Sequence, residues 1–405
     1  MDKIYQIFLN ILKTAMQGGQ FTSDSDISQE EWNSILSLAQ SHNVLPLVYQ
    51  ATYKNPQVKS SAVAGRVRQL VMMQTVKTSE FLQVYKRLVQ SGCTPLVVKG
   101  YICRSLYPQP DLRLSTDEDI LIPPQQYGIC KRVLEEEGMY TEMTTGEAEN
   151  AHEVPFRQND GVLYIELHKS LFPPESEAYG SWNRFFEKAE QMAVESNGVY
   201  TLSHTDHMFY LICHAIKHFF HSGFGIRQLC DITMYANACG SMVDWDKVYK
   251  NCCKINAQTF VASLFVASEK YLAFSREKSC IPQYFMDEAV DETNMLTDLL
   301  SAGVFGGATM SRKHSSNMTL DAVSADKQGK KAKKSLKNTL FPSAQKLKGR
   351  YPYLEQQPYL LPMAWADRVI NYIRETRSAQ NNAALETLQI GGERIALLRE
   401  YKFIK

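Results

Sequence analysis

The chain has 405 residues, 44% of them hydrophobic and 21% charged, which is enough for a sizeable core and two or three domains. A formal net charge of +1 excludes a global electrostatic pull toward nucleic acid or an anionic membrane. The nine cysteines are odd in number and show no CxxC spacing, which disfavours a zinc ribbon or a disulfide framework and fits free thiols in a reducing cytoplasm.

Residues 1–16 carry apolar side chains at helical spacing, but Asp2, Lys3, Gln6 and Asn10 interrupt them, so the stretch lacks the apolar core of a signal peptide. No stretch approaches the ~18 uninterrupted apolar residues of a membrane span, so none is expected. Residues 1–92 read as a helical cap. Ser28 to Glu31 forms a capping-box pattern that opens a helix through Ala39. Residues 60–90 are amphipathic over their whole length, with Val63, Val67, Leu70, Phe81 and Leu88 on the apolar stripe.

The texture changes at Gly92-Cys-Thr-Pro95. Leu96-Val-Val98 predicts a buried strand ended by Lys99-Gly100, and a short helix follows from Tyr101 to Tyr107. Residues 114–122 predict a second strand, 123–137 a helix and 139–143 a third strand. Residues 154–158 and 162–168 predict a hairpin turned by Asn159-Asp-Gly161. Residues 93–175 therefore read as a small mixed-sheet α+β core. The segment 176–303 reads as a helical domain, with helices over 181–190, 204–221, 226–239, 244–254, 256–273 and 282–302. Residues 304–340 read as a flexible basic linker and 341–405 as a C-terminal helical segment. Between Lys327 and Arg350 there are nine Lys or Arg and no acid, a run read first as solvated; a nucleic-acid contact there is the less favoured alternative.

The chemistry concentrates in the core. Asp117 and Asp119 at period two share one strand face, and two adjacent carboxylates are costly without a cation. Glu166 and His168 share a face opposite Ile165 and Leu167. If that strand lies beside 114–122, three carboxylates converge, a set suited to Mg²⁺, with Mn²⁺ as the alternative. Lys99 and Gly100, between a strand and a helix start, suit a phosphate cradle. Glu118, between the two aspartates, must find solvent or a basic partner, so the strand is expected to be an edge there. His207, His214, His218 and His221 fall close to one helical face. The reading is of core histidines or of a polar wall in which His214, Lys217 and His218 meet phosphate or acceptor; a zinc site is disfavoured for want of a companion ligand. Asp231 is read as the partner of Arg227 one turn earlier, in a surface or interdomain salt bridge, with a substrate role as the alternative.

The run Val97-Val-Lys-Gly100, Arg113, Asp117-Glu-Asp119 and Glu166-Leu-His168 resembles the uncharacterised nucleotidyltransferase family of the DNA polymerase β-like superfamily. Asp206 to His218, Ile226 to Asp231, Phe341-Pro-Ser343 and Leu360 to Trp365 extend the likeness, which covers about 35 to 375. The resemblance implies Asp117, Asp119 and Glu166 as Mg²⁺ ligands, Lys99-Gly100 at the triphosphate, and Arg113 and His168 as further substrate contacts. The implied reaction moves an NMP from an NTP to an unread acceptor and releases pyrophosphate. An inactive nucleotide-binding or interaction protein on the same scaffold, or another phosphate-handling enzyme, are the rival readings.

Overall fold

The computed structural model describes residues 2–23, 26–59, 61–159, 161–221, 223–302, 310–329, 344–347, 351–355, 357–367 and 383–405. Within these the chain is α+β, a mixed five-stranded sheet set between helical regions. Four helices come first: α1 (Lys3–Met16), α2 (Gln29–Ser41), α3 (Leu45–Thr52) and α4 (Ser61–Gln90). The capping box forms at α2 as the sequence predicts, with Ser28 Oγ accepting from the Glu31 N–H and the Glu31 carboxylate accepting from the Ser28 N–H.

The sheet follows from short, β-branched runs. Its strands are β1 (Leu96–Val98), β2 (Glu118–Leu121), β3 (Met139–Tyr140), β4 (Glu153–Gln158) and β5 (Tyr164–His168), in the order β1-β2-β5-β4-β3. β2 runs antiparallel to β1 and parallel to β5, and β4 pairs antiparallel with both β5 and β3. The hairpin of β4 and β5 is the one expected. β2 and β3 are shorter than expected, and α5 (Gly100–Arg104) is a single turn. Two helices accompany the sheet, α6 (Tyr127–Glu136) and α7 (Thr145–Asn150).

The expected edge at Glu118 is not there. β2 lies between β1 and β5, and Glu118 is fully buried. The other alternative holds instead: Arg104 Nη2 donates to Glu118 Oε1 at 2.9 Å, and Ser115 Oγ donates to the same oxygen at 2.8 Å. A buried carboxylate is tolerable when a cation and a hydroxyl meet it.

A small hairpin, β6 (Val194–Ser196) and β7 (Val199–Thr201), then packs beside β1 where helix was expected to dominate. Helices α8 (His204–Phe220), α9 (Ile226–Cys239), α10 (Trp245–Lys254) and α11 (Gln258–Tyr271) match expectation within three residues at each end. Residues 282–302 split into two helices, Gln283–Met286 and Thr293–Ala302. Residues Met310–Lys327, read as part of a linker, form a helix instead. Small side chains allow it to pack on the helix Ala383–Glu400; a Cβ at Gly391 would lie 2.5 Å from Met318 Sδ. The motif Phe341-Pro-Ser343, Arg350 and most of the run 327–350 lie outside the described residues. Among the described residues no helix is long and apolar enough to cross a membrane.

The helical cap is tied to the helical half by a buried histidine. Nδ1 of His42 accepts the Ile226 N–H at 3.2 Å, so Nε2 carries the proton and donates to the Leu300 carbonyl at 3.1 Å. Burial lowers the His42 pKa from 6.5 to about 4, against the Leu300 bond, which raises it. A depressed folded-state pKa contributes stability that is complete above the unfolded value and is lost as pH falls from 6.5 toward 4, a loss of about 3 kcal/mol at this residue. His207, His218 and His221 are depressed in the same sense by burial, to about 3, 3 and 4. The melting temperature is therefore expected to fall steeply between pH 6.5 and 4.5. His42→Gln keeps one donor and one acceptor without titrating, and should flatten part of that slope in a pH series of thermal melts.

Candidate functional site

The parallel pairing of β2 with β5 sets Asp119 opposite Glu166 and Leu121 opposite His168. Period two then brings Asp119, Glu166 and His168 to one face, and one ligating atom from each lies within 4.8 Å of the others. Nε2 of His168 is 3.2 Å from Asp119 Oδ1 and 3.8 Å from Glu166 Oε2, while its Nδ1 is 3.5 Å from Glu153 Oε2. Asp117 stands just before β2, half-buried and outside this tight group, but its charge acts on Glu166 and on Lys99.

Lys99 Nζ reaches Asp119 Oδ2 at 3.1 Å. The two form an ion pair without hydrogen-bond alignment, so Oδ2 is a buried oxygen with no hydrogen-bond donor. Burial alone would lower the Lys99 pKa, but Asp119, then Asp117 and Glu166, overcome it and hold the ammonium charged. Burial alone would raise Asp119, but Lys99 and His168 hold it well below the usual carboxylate range. Glu166 is answered less well: His168 Nε2 stands 3.8 Å from it, and the charge of Lys99 only partly offsets its acidic neighbours. Burial, then Asp119 and Asp117, push it up to about 9. A carboxyl pushed up by its acidic neighbours, beside an Asp119 oxygen with no hydrogen-bond donor, makes a group that could hold a cation. Two carboxylates suit Mg²⁺ or Mn²⁺, and an imidazole ligand tilts the set toward Mn²⁺ over the harder Mg²⁺.

The turn that aims Lys99 is strained. Its φ is +61° and ψ −101°, a conformation that non-glycine residues rarely adopt. The Lys99 N–H donates to Nε2 of His207 at 3.2 Å, and His207 Nδ1 lies 3.2 Å from Thr201 Oγ1. His207 is fully buried and accepts at Nε2, so Nδ1 carries its proton. Gly100 has a local reason to lack a side chain: a Cβ there would sit 2.2 Å from Glu118 Oε2.

α8 supplies the opposite wall. His214, Lys217 and His218 are partly exposed along it, and the charges of Lys99 and Asp119 act on His214. His214 and His218 face each other with Nε2 atoms 3.1 Å apart. Burial, then Lys99, lowers both pKa values, His218 to about 3, so these rings are neutral hydrogen-bonding groups at neutral pH. Tyr210, one turn earlier, was missed in the sequence; burial, then Asp119 and Glu166, raise its phenol pKa well above the ordinary value.

Arg113 is placed elsewhere. It is 1% exposed, and its Nε and Nη2 grip Asp231 at 3.1 and 2.5 Å, with Tyr107 Oη donating to the same carboxylate at 2.9 Å. Asp231 therefore pairs across the core–helical boundary with Arg113 and not with Arg227. Arg227 Nη1 donates instead to the Leu114 carbonyl at 2.6 Å.

The family model described as "Uncharacterised nucleotidyltransferase" matches residues 28–273, more than half of the chain. The chain belongs to that family, and so to the nucleotidyltransferases as a class. No curated protein and no solved structure matches it.

Replacing His207 by Phe keeps the ring's bulk and removes the acceptor for the Lys99 N–H. The expected cost is about 1–3 kcal/mol from a stranded buried donor, read by denaturant unfolding, with Mn²⁺ affinity falling as the Lys99 turn relaxes. Unchanged stability and Mn²⁺ affinity would show that the turn stands without His207.

Proposed function

We propose that this protein is a Mg²⁺-dependent nucleotidyltransferase that moves an NMP from an NTP to an acceptor and releases pyrophosphate. The observation that carries the reading is the Asp119, Glu166 and His168 cluster, with Asp119 Oδ2 unsatisfied inside a chain of this family. Asp117, Asp119 and Glu166 would hold the divalent ion, with His168 completing or orienting the set. The ion would supply charge neutralisation at the phosphoryl oxygens and help form the attacking nucleophile.

The protein's own groups do the rest. Lys99 holds Asp119 ionised and adds positive charge beside it. The acceptor oxygen attacks the α-phosphorus, the bond to the β-phosphate's bridging oxygen breaks, and pyrophosphate leaves with the electron pair. The acceptor's proton passes to a base, for which Glu166, once ionised, is the carboxylate candidate beside Asp119. His214 and His218, neutral and partly exposed, offer hydrogen bonds to the acceptor or to phosphate, and Lys217 adds a cation on the same wall. Glu118 is neutralised by Arg104 and leaves the site carboxylates intact.

The test is incubation with each α-³²P NTP and Mg²⁺ or Mn²⁺, following label into lysate components. Transfer is expected with at least one NTP. Asp119→Asn should lower it by about 10²-fold or more, the scale of several kcal/mol of lost charge stabilisation. Nucleotide binding without transfer would favour the inactive scaffold. Inorganic phosphate released from γ-labelled NTP, with no α-label transferred, would point to a different phosphate enzyme.

A further inference from the structure

Each fully buried carboxylate of the core has a cation beside it. Arg104 meets Glu118, Arg113 meets Asp231 and Lys99 meets Asp119. Farther off, Arg312 and Arg394 share Asp298. Among the described residues this leaves two buried cations without a carboxylate at ion-pair distance, Lys77 and Arg227. Lys77 gives its ammonium to the Ser115 carbonyl at 3.1 Å, and burial lowers its pKa to about 8, so it can shed its charge cheaply. Arg227 cannot, because a guanidinium stays protonated in proteins. It is 6% exposed, it spends Nη1 on the Leu114 carbonyl, and its Nε is buried with no hydrogen-bond partner. Burial, then the charge of Arg113, work against this guanidinium, and Asp231 and Asp117 favour it only from beyond ion-pair distance, so an anion arriving from outside would offset a real cost.

We infer that Arg227 is a polyphosphate-binding residue, its guanidinium set at the start of α9 against the loop that leads into Asp117 and directed at the phosphoryl oxygens of the substrate. The identity of the anion rests on the nucleotidyl-transfer reading above; the unpartnered Nε of Arg227 does not. Position supports it. The carbonyl that Arg227 holds belongs to Leu114, three residues before Asp117, and its charge acts on Asp117, Lys99 and His218. Arg227 thus lies within electrostatic reach of Asp117 and Lys99. The chemistry supports it as well. A guanidinium fork matches two phosphoryl oxygens, and a ligand facing Lys99, Lys217 and Arg227 together must carry more than one negative charge. A triphosphate, or the pyrophosphate that leaves it, meets that demand; a monophosphate meets it poorly.

The experiment uses the full chain with Mg²⁺ in isothermal titration calorimetry. The titrants are α,β-methylene NTPs, inorganic pyrophosphate and the corresponding NMPs, against wild type, Arg227→Met and Arg227→Lys. The Met variant should bind the methylene NTP and pyrophosphate about 10- to 100-fold more weakly while NMP affinity stays within about threefold. The Lys variant, which keeps a charge and a donor for Leu114, should recover part of the loss and guards against a Met variant that fails to fold. Wild-type affinity for pyrophosphate in a folded Met or Lys variant would overturn the inference, as would equal losses for NTP and NMP, or wild type binding neither pyrophosphate nor the methylene NTP. The two readings separate cleanly. Arg227-dependent pyrophosphate binding without label transfer keeps this inference and removes nucleotidyl transfer. Label transfer with a fully binding Met variant does the reverse.

Discussion

The core depends on the burial of two adjacent carboxylates on a central strand. Glu118 and Asp119 are 0% and 2% exposed, on a four-residue strand with neighbours on both sides. Side chains alternate along a strand, so the two acids point to opposite faces and each face must answer a charge separately. One face answers with Arg104 and Ser115 for Glu118, the other with Lys99 and His168 for Asp119. Removing either cation would leave a buried carboxylate uncompensated, a change that typically costs ~3–5 kcal/mol. Each answer leaves one buried oxygen without a hydrogen-bond donor, Oε2 of Glu118 and Oδ2 of Asp119. What sets the second face apart is the elevated Glu166 carboxyl beside Asp119, and that pair of acids is where chemistry can enter.

The same two acids explain the turn between β1 and α5. Lys99 must send its ammonium to Asp119 while the next residue passes the Glu118 carboxylate so closely that no Cβ fits. A left-handed backbone at Lys99 reconciles the two demands, and the strain of about 1–3 kcal/mol is offset by bonds at both ends of the residue, backbone to His207 and side chain to Asp119. Lys99-Gly100 reads in the sequence as a phosphate turn. In the structure its first duty is to accommodate two buried acids.

Much of this was legible in the sequence, and the rest failed for identifiable reasons. β-branched runs and period-two polarity located β1, β2 and β5 and put Glu166 and His168 on one face. The Asp119, Glu166 and His168 cluster follows once β5 lies beside β2. Asp117 stands at the same period but just before the strand begins, and strand ends are where periodicity says least. The partner of Glu118 was not legible, because Arg104 is brought to it by a one-turn helix. The pairing of Asp231 with Arg227 followed the i, i+4 rule for exposed helix faces, and α9 is buried at both residues, where partners come from across the interface. Two misses had opposite causes. The hairpin of β6 and β7 carries an Asn197-Gly198 turn with positive φ at both residues, a signal present in the sequence and passed over. The helix Met310–Lys327 carries little apolar pattern of its own, and its packing partner begins 56 residues after it ends, at Ala383.

The helical half is not a separate lid laid on a finished site. Three buried links cross from α8 and α9 into the core: His207 to the Lys99 N–H, Asp231 to Arg113 and Tyr107, and Arg227 to the Leu114 carbonyl. Each ends on backbone or side chains of the two segments that deliver the site, the Lys99 turn and the 113–117 loop. The first fixes the cation, and the other two fix the loop from which Asp117 and Asp119 emerge. The sheet supplies the carboxylates and their register, but the helical half sets the direction of the groups that flank them. A shift of α8 relative to α9 would therefore reach the Lys99 turn and the Asp117 loop separately. That makes the α8–α9 pairing the part of the structure to which the geometry of this site is most sensitive.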